Sequence, residues 1–449
     1  MGKYFGTDGF RGVAGRELTA YHAFRMGLAI GTYCKQMRRD DKDKVRAVIG
    51  KDTRRSSYML EYAIAAGLSA SGADAYILHV CTTPCVSYVT ASESFDAGIM
   101  ISASHNPFYD NGIKVIGSGG EKLTDLATDL LEELMERDDL PMAEGEEIGR
   151  IVDHYSGRNR YIGYLISLSR HSFKGCRIGL DCANGAAFSV AASVFAALGA
   201  EVHAIGCEPS GTNINDGVGS THPEKLSELI RKEKLDFGFA FDGDADRCIA
   251  ADERGSIVDG DDILYILAKG MKESGELHGE TVVTTLMSNT GLYTALEKTG
   301  IAHTEVSVGD KYVWERMKEC GYSLGGEASG HIIISKYATT GDGILTAIKL
   351  TERIIESEKP LSALHAPVVK LPQLTLNLPT RNKAKATSAE VLAAREDAEK
   401  SLRGEGRVTV RASGTEPLIR ITVEAKSQEV CEKIANGLRS VIEAKEDAL

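Results

Sequence analysis

Aromatic residues are scarce in this chain, at 6% of 449 residues with a single tryptophan, whereas glycine is plentiful at 47. That balance disfavours a β-sandwich and suits α/β units with many tight strand-to-helix turns. No run of 18 apolar residues occurs, so no membrane span is indicated. The opening MGKYFGTDGFRG has no apolar signal-peptide core, and no Asn-x-Ser/Thr sequon occurs, so the expectation is a cytoplasmic protein. A cationic excess is also missing. The net charge of −12 argues against nucleic acid or an anionic membrane as a partner. It leaves room for a small anionic ligand, provided that Arg and Lys are set into Gly-rich loops. The nine cysteines form an odd set without zinc-ribbon spacing, which reads as buried reduced thiols.

At this length about three or four domains are expected. One order recurs three times: a strand, a helix ending at glycine, and a second strand. The copies run through VRAVIGKDTR to Gly72, through CRIGLDCANGAA to Gly199, and through TVVTTLMSNTGL to Gly300. After each comes a further apolar strand that stops in an unusual loop: FDAGIMISASHNP, DFGFAFDGDADR and GYSLGGEASGHII. Ligands collect at the carboxyl ends of such strands, so three equivalent loops can meet at one site. The fold class is therefore α/β, with three domains of similar topology over 1–152, 153–258 and 259–370. A smaller α+β domain of two helices on an antiparallel sheet follows over 371–449.

The loops carry the chemistry. In FDGDADR, Asp242, Asp244 and Asp246 alternate with small residues, so three carboxylates can converge on one hard cation; Mg²⁺ is the expected ion, because it needs few protein ligands beside a phosphate. Glu253 at the twelfth position raises an EF-hand, but Arg247 replaces the required Gly and strand-like segments flank the loop. In RASGTEPLIR, Arg411, Ser413, Gly414, Thr415 and Arg420 describe a phosphate cradle rather than a Walker A loop. In GGEASGH, Glu327, Ser329 and His331 alternate as partners for sugar hydroxyls, although His331 equally fits a core histidine satisfied by backbone. In GIMISASHNPFYDNGIK the strand ends at small residues around Ser104, and Asn111-Gly112 is expected to turn the chain so that Lys114 returns towards that serine. A polar strand end with a solvated Lys is the plainer alternative. Arg11 lies between glycines in TDGFRG.

The segments TDGFRG, ISASHNPxxxNGIK, DGDADR, VGDKYV, GEASGH and RASGTEP, in that order over essentially the whole chain, resemble the α-D-phosphohexomutases. The resemblance implies four domains around a central cleft and a possible homodimer. Ser104 would be the phosphorylated serine, with Mg²⁺ held by it and by Asp242, Asp244 and Asp246. Arg11, Lys114 and Arg247 would line the transfer site, and Glu327 with Ser329 would contact the sugar. Arg411, Ser413, Gly414, Thr415 and Arg420 would bind the phosphate that is not being transferred. Related members acting on other sugars often place a histidine near Asp310 and Lys311, so either residue is a candidate for the hydroxyl proton. The implied reaction passes through a hexose 1,6-bisphosphate, which also serves as activator. The closest likeness is to the branch that interconverts the 6- and 1-phosphates of glucosamine and feeds UDP-N-acetylglucosamine synthesis; glucose or mannose phosphate is the alternative. That branch usually carries Gln where this chain has Ala328. A serine-dependent phosphatase or a non-catalytic sugar-phosphate sensor would use the same loops.

Overall fold

A computed structural model describes residues 3–6, 8–38, 44–380, 382–413 and 417–444. The chain divides into two compact units: Met1–Met287 with Ile301–Ala366, and Ser288–Gly300 with Pro367–Leu449.

The first unit holds three sheets. One contains β1 (Phe10–Val13), β2 (Arg46–Lys51), β3 (Asp74–Val80), β4 (Ala97–Ile101), β5 (Asp110–Gly117) and β6 (Ile151–Asp153), in the order β1-β5-β4-β2-β3-β6. The next contains β7 (Arg177–Asp181), β8 (Glu201–Ile205), β9 (Phe237–Phe241), β10 (Cys248–Ala251) and β11 (Ile257–Val258), ordered β11-β10-β9-β7-β8. The last contains β12 (Thr281–Thr285), β13 (Ala302–Val306), β14 (Leu324–Gly326) and β15 (Ile332–Ile334), ordered β13-β12-β14-β15.

A shared four-strand kernel underlies all three: β3-β2-β4-β5, β8-β7-β9-β10 and β13-β12-β14-β15. In each, the first two pairings are parallel and the last is antiparallel. The expected repeat is thus present and is one strand longer than its sequence signal. β4 and β9 are buried at every position, which is why they read as unbroken apolar runs. Gly72 closes the helix Arg55–Ser71 in the left-handed conformation (φ 92°) that glycine adopts without strain.

One expectation fails. Asn111-Gly112 lies inside β5, paired with β1, and the turn is made by the residues around Ser104 to Tyr109. Packing explains the pair: Asn111 is buried, its amide donating to Ser56 and Ser57 Oγ (2.8 and 3.0 Å). A Cβ at Gly112 would come within 2.6 Å of the Ser102 carbonyl oxygen.

The second unit is a small α+β body. β16 (Gln373–Pro379), β17 (Arg407–Ala412) and β18 (Leu418–Glu424) form an antiparallel sheet ordered β16-β18-β17. Val391 and Leu402 of helix Ala389–Leu402, and Cys431, Ala435 and Leu438 of helix Gln428–Glu443, share its core with Ile419, Ile421 and Val423. The segment Ser288–Gly300 is tied to this sheet where the Thr290 backbone N–H and hydroxyl both donate to buried Glu424 (3.0 and 2.6 Å).

Candidate active site at the strand ends

The loops that follow β4 and β9 meet. Ser104 is 1% exposed and sits in left-handed backbone (φ 52°), a conformation that costs a non-glycine residue about 1–3 kcal/mol. Its hydroxyl donates to Asp242 Oδ2 at 2.5 Å. Gly243 makes the approach possible, since a Cβ there would lie 2.5 Å from the Ser104 carbonyl oxygen. Asp242, Asp244 and Asp246 are all buried, with one oxygen from each lying within 4.8 Å of the others.

Lys114 reaches this cluster from β5, where it pairs with Met100 of β4. Its ammonium donates to Asp244 Oδ2 (2.6 Å) and Asp246 Oδ2 (3.3 Å). Burial works against that charge, but Asp244 and Asp246 outweigh it and raise the pKa of Lys114. Thr83 Oγ also donates to Asp244 Oδ2, at 2.6 Å. The carboxylates divide. Burial, then the neighbouring Asp246 and Asp244, push Asp242 well above the ordinary carboxyl range. Burial also works against charge on Asp246, yet Lys114, His331 and Arg247 overcome it and hold this carboxyl well below that range. Asp244 Oδ1 and Asp246 Oδ1 are buried without a hydrogen-bond partner. Orphaned carboxylate oxygens inside a three-carboxylate cluster fit a hard divalent cation, which takes oxygen ligands.

Arg247 follows the cluster, its backbone N–H donating to Asp242 Oδ1 (3.2 Å) and its Nε lying 3.9 Å from Asp246 Oδ1. Arg11 on β1 pairs with Gly112 and lies 3.5 Å from Asp8. Asp8 in turn contacts Lys122 (3.0 Å), whose ammonium also binds Asp310 (2.7 Å). Burial opposes ionisation of Asp310, but Lys122 and His331 outweigh it and lower its pKa. Lys311 pairs with Asp125. Asp8, Lys114, Lys122, Lys311 and Tyr312 line a cavity of about 510 Å³.

The third loop lies beside these groups. His331 is a buried histidine bonded by backbone and flanked by two carboxylates: the Gly341 N–H donates to its Nε2 (2.9 Å), while Nδ1 is 3.7 Å from Asp246 and Nε2 is 3.4 Å from Asp310. The bond from Gly341 leaves the neutral ring's proton on Nδ1, facing Asp246. Glu327 accepts the Gly309 N–H at 3.1 Å, and burial raises its pKa. Ser329 Oγ is buried with no partner. The backbone carbonyl of Ala328 accepts from Gly260 N at 3.0 Å.

In the second unit, Arg411 and Arg420 face each other across β17 and β18. Burial, then Arg420, lower the pKa of Arg411. Two cations side by side on a sheet repel, and an anion would relieve them. Ser413 is buried, its carbonyl accepting from Lys383 (2.7 Å), while Gly414 and Thr415 lie outside the described residues.

Several contributors carry no motif of their own. Asp8 stands inside TDGFRG and His105 inside ISASHNP, but Lys122 and Thr83 are ordinary residues in their segments. The His105 ring lies 3.3 Å from Ser104 Oγ, and burial, with Arg247 and Arg11, pushes its pKa down to about 4.

The chain belongs to the phosphoglucomutase/phosphomannomutase family: its α/β/α domains I, II and III match residues 2–142, 159–255 and 259–371, and its C-terminal domain matches 376–441. Among curated relatives, the chain is 54% identical to the phosphoglucosamine mutase of Lachnospira eligens over 99% of both chains. It is 51% identical to that of Oceanobacillus iheyensis, again over 99% of both. A phosphoglucomutase/phosphomannomutase family protein from Burkholderia thailandensis shares the fold with a TM-score of 0.79 at 22% identity, over 97% of this chain and 96% of the other. The N-acetylphosphoglucosamine mutase of Aspergillus fumigatus does so with a TM-score of 0.67 at 17% identity, over 99% and 96%.

Proposed function

We propose that the chain interconverts glucosamine 6-phosphate and glucosamine 1-phosphate, with Ser104 as phosphoryl carrier. The observation that carries this reading is the Ser104 hydroxyl at 2.5 Å from Asp242, within a buried carboxylate cluster that Lys114 enters. Mg²⁺ held by Asp242, Asp244, Asp246 and the phosphorylated Ser104 would supply Lewis-acid charge at the transferring group. Arg11, Lys114 and Arg247 would stabilise charge that develops there.

Phosphoserine gives its phosphoryl group to the free hydroxyl of the sugar phosphate: the serine P–O bond breaks as the sugar P–O bond forms. The hydroxyl proton goes to a nearby base. Both candidates are ion-paired, Asp310 with Lys122 and Lys311 with Asp125, and we assign the proton to Asp310, because an ionised carboxylate can accept a proton whereas an ammonium cannot. The product is a 1,6-bisphosphate, which turns over and returns its other phosphate to Ser104. Glu327, Ser329 and His331 hold the sugar, and Arg411, Ser413, Gly414, Thr415 and Arg420 hold the idle phosphate. Binding energy at these non-reacting groups retains the intermediate, which separates a mutase from a serine phosphatase.

The choice of glucosamine rests on the similarity to the two curated relatives. Nine free thiols suit the reducing cytoplasm, and among the described residues no helix is long and apolar enough to cross a membrane. The resemblance suggests a homodimer, to be checked by light scattering. The deciding experiment compares kcat/KM for glucosamine, glucose and mannose 6-phosphates on one Mg²⁺-loaded preparation primed with glucose 1,6-bisphosphate. The reading requires glucosamine to lead. Glucose or mannose phosphate in the lead would move the chain to another branch, and phosphate release outrunning isomer formation would make it a hydrolase.

A further inference from the structure

Arg54 stands just past β2 and is 0% exposed, a rare state for arginine. A guanidinium has five N–H donors, and here each is used. Nε donates to Asp52 Oδ2 (2.7 Å); one terminal nitrogen donates to the carbonyls of Ser104 and Asn106 (both 2.9 Å); the other donates to those of Pro107 and Asp110. Asp52 secures the loop's entrance. Its Oδ2 also accepts Ser102 Oγ (2.7 Å), and that hydroxyl accepts the Ser104 N–H (2.9 Å). From the second repeat, the Asn215 side-chain amide donates to the same Ser104 carbonyl (2.9 Å) and to that of Asn106 (3.1 Å).

The peptide after Ser104 is therefore fixed from two repeats at once. Because Ser104 is left-handed, the direction of its Cα–Cβ bond depends on that fixation, and with it the seating of Oγ on Asp242. We infer that Arg54 and Asn215 are positioning residues for phosphoryl transfer, which aim the carrier without touching the reacting atoms; the inference rests on Ser104 being that carrier. Sugar-phosphate binding uses other side chains, so losing either residue slows transfer and spares binding. A merely structural role would lower stability without separating the two.

The test measures kcat, KM and the rate at which dephosphorylated enzyme takes phosphate from glucose 1,6-bisphosphate, mapped to Ser104 by mass spectrometry. Arg54→Lys keeps the charge but loses the fork, and should cut kcat and uptake about 100-fold with KM changed less than about 3-fold, as a misplacement near 1 Å does. Asn215→Ala should cut both about 10-fold with the same small change in KM. If Arg54→Lys fails to fold, Asn215→Ala decides alone. Wild-type rates in the folded variants, or a rise in KM without a fall in uptake, overturn the inference while leaving the carrier in place. Wild-type turnover without phosphate on Ser104 removes the carrier reading and this inference together.

Discussion

The loops after β4 and β14 occupy the same place in the repeated kernel, yet their polar atoms are treated in opposite ways. Around Ser104 the backbone N–H, the carbonyl and the hydroxyl are all bonded within the protein. In the third loop Ser329 Oγ is buried with no partner. The difference fits the roles we propose for the two loops. A group that carries a covalent cargo must be aimed before substrate arrives, so its loop is complete in the free protein. A loop that grips a passing sugar keeps bonding capacity for the ligand to satisfy.

Ser104→Ala attacks the complete loop and should have the largest effect. It should lower turnover by roughly a thousandfold or more, as loss of a nucleophile does, while Tm stays near wild type because the loop's backbone bonds remain. Bisphosphate priming should not rescue it; full activity, or phosphate mapped to Ser102, would sink the carrier. Asp244→Asn comes next, with kcat down about 100-fold and KM little changed, since its carboxylate serves the transferring group. Near-normal kcat at saturating Mg²⁺ would remove Asp244 from the metal site. On the open loop, Ser329→Ala should raise KM by the worth of one hydrogen bond, about 0.5–1.5 kcal/mol, without lowering Tm. A fall in Tm with unchanged KM would show that Ser329 serves the fold, and the contrast between the loops would collapse. The smallest effect is expected from Ala328→Gln, a several-fold shift in kcat/KM towards glucosamine over glucose phosphate, from one added bond of about 0.5–1.5 kcal/mol. An unchanged ratio would place that side chain away from the sugar.

The same contrast explains what could be read from the sequence. Buried parallel strands leave unbroken apolar runs, so the repeats showed themselves, and alternation with small residues gave away Asp242, Asp244 and Asp246. The small C-terminal sheet followed from its own alternation. Arg54 and Lys122 gave no such sign, because each gains its role from distant segments: Arg54 from Pro107 and Asp110, Lys122 from Asp8 and Asp310. Asn111-Gly112 misled because turn chemistry and tight packing favour the same small residues. His331 admitted two readings on sequence grounds: its backbone bond gives it the core role, and its contact with sugar hydroxyls stays part of the proposal.

Arg11, Asp8, Lys122 and Asp310 follow one another in alternating sign, with gaps of 2.7 to 3.5 Å. Mobile ions screen charges in open solvent over a Debye length of about 8 Å at physiological strength, but they penetrate little between partly or wholly enclosed neighbours. Added salt should therefore erode a pair such as Lys3–Glu136, whose side chains are 63% and 50% exposed, long before it disturbs this row. The field at the strand ends is consequently a property of the folded chain rather than of its buffer. Any loss of rate with ionic strength then reports how the anionic substrate is captured from solution, not how it reacts once seated.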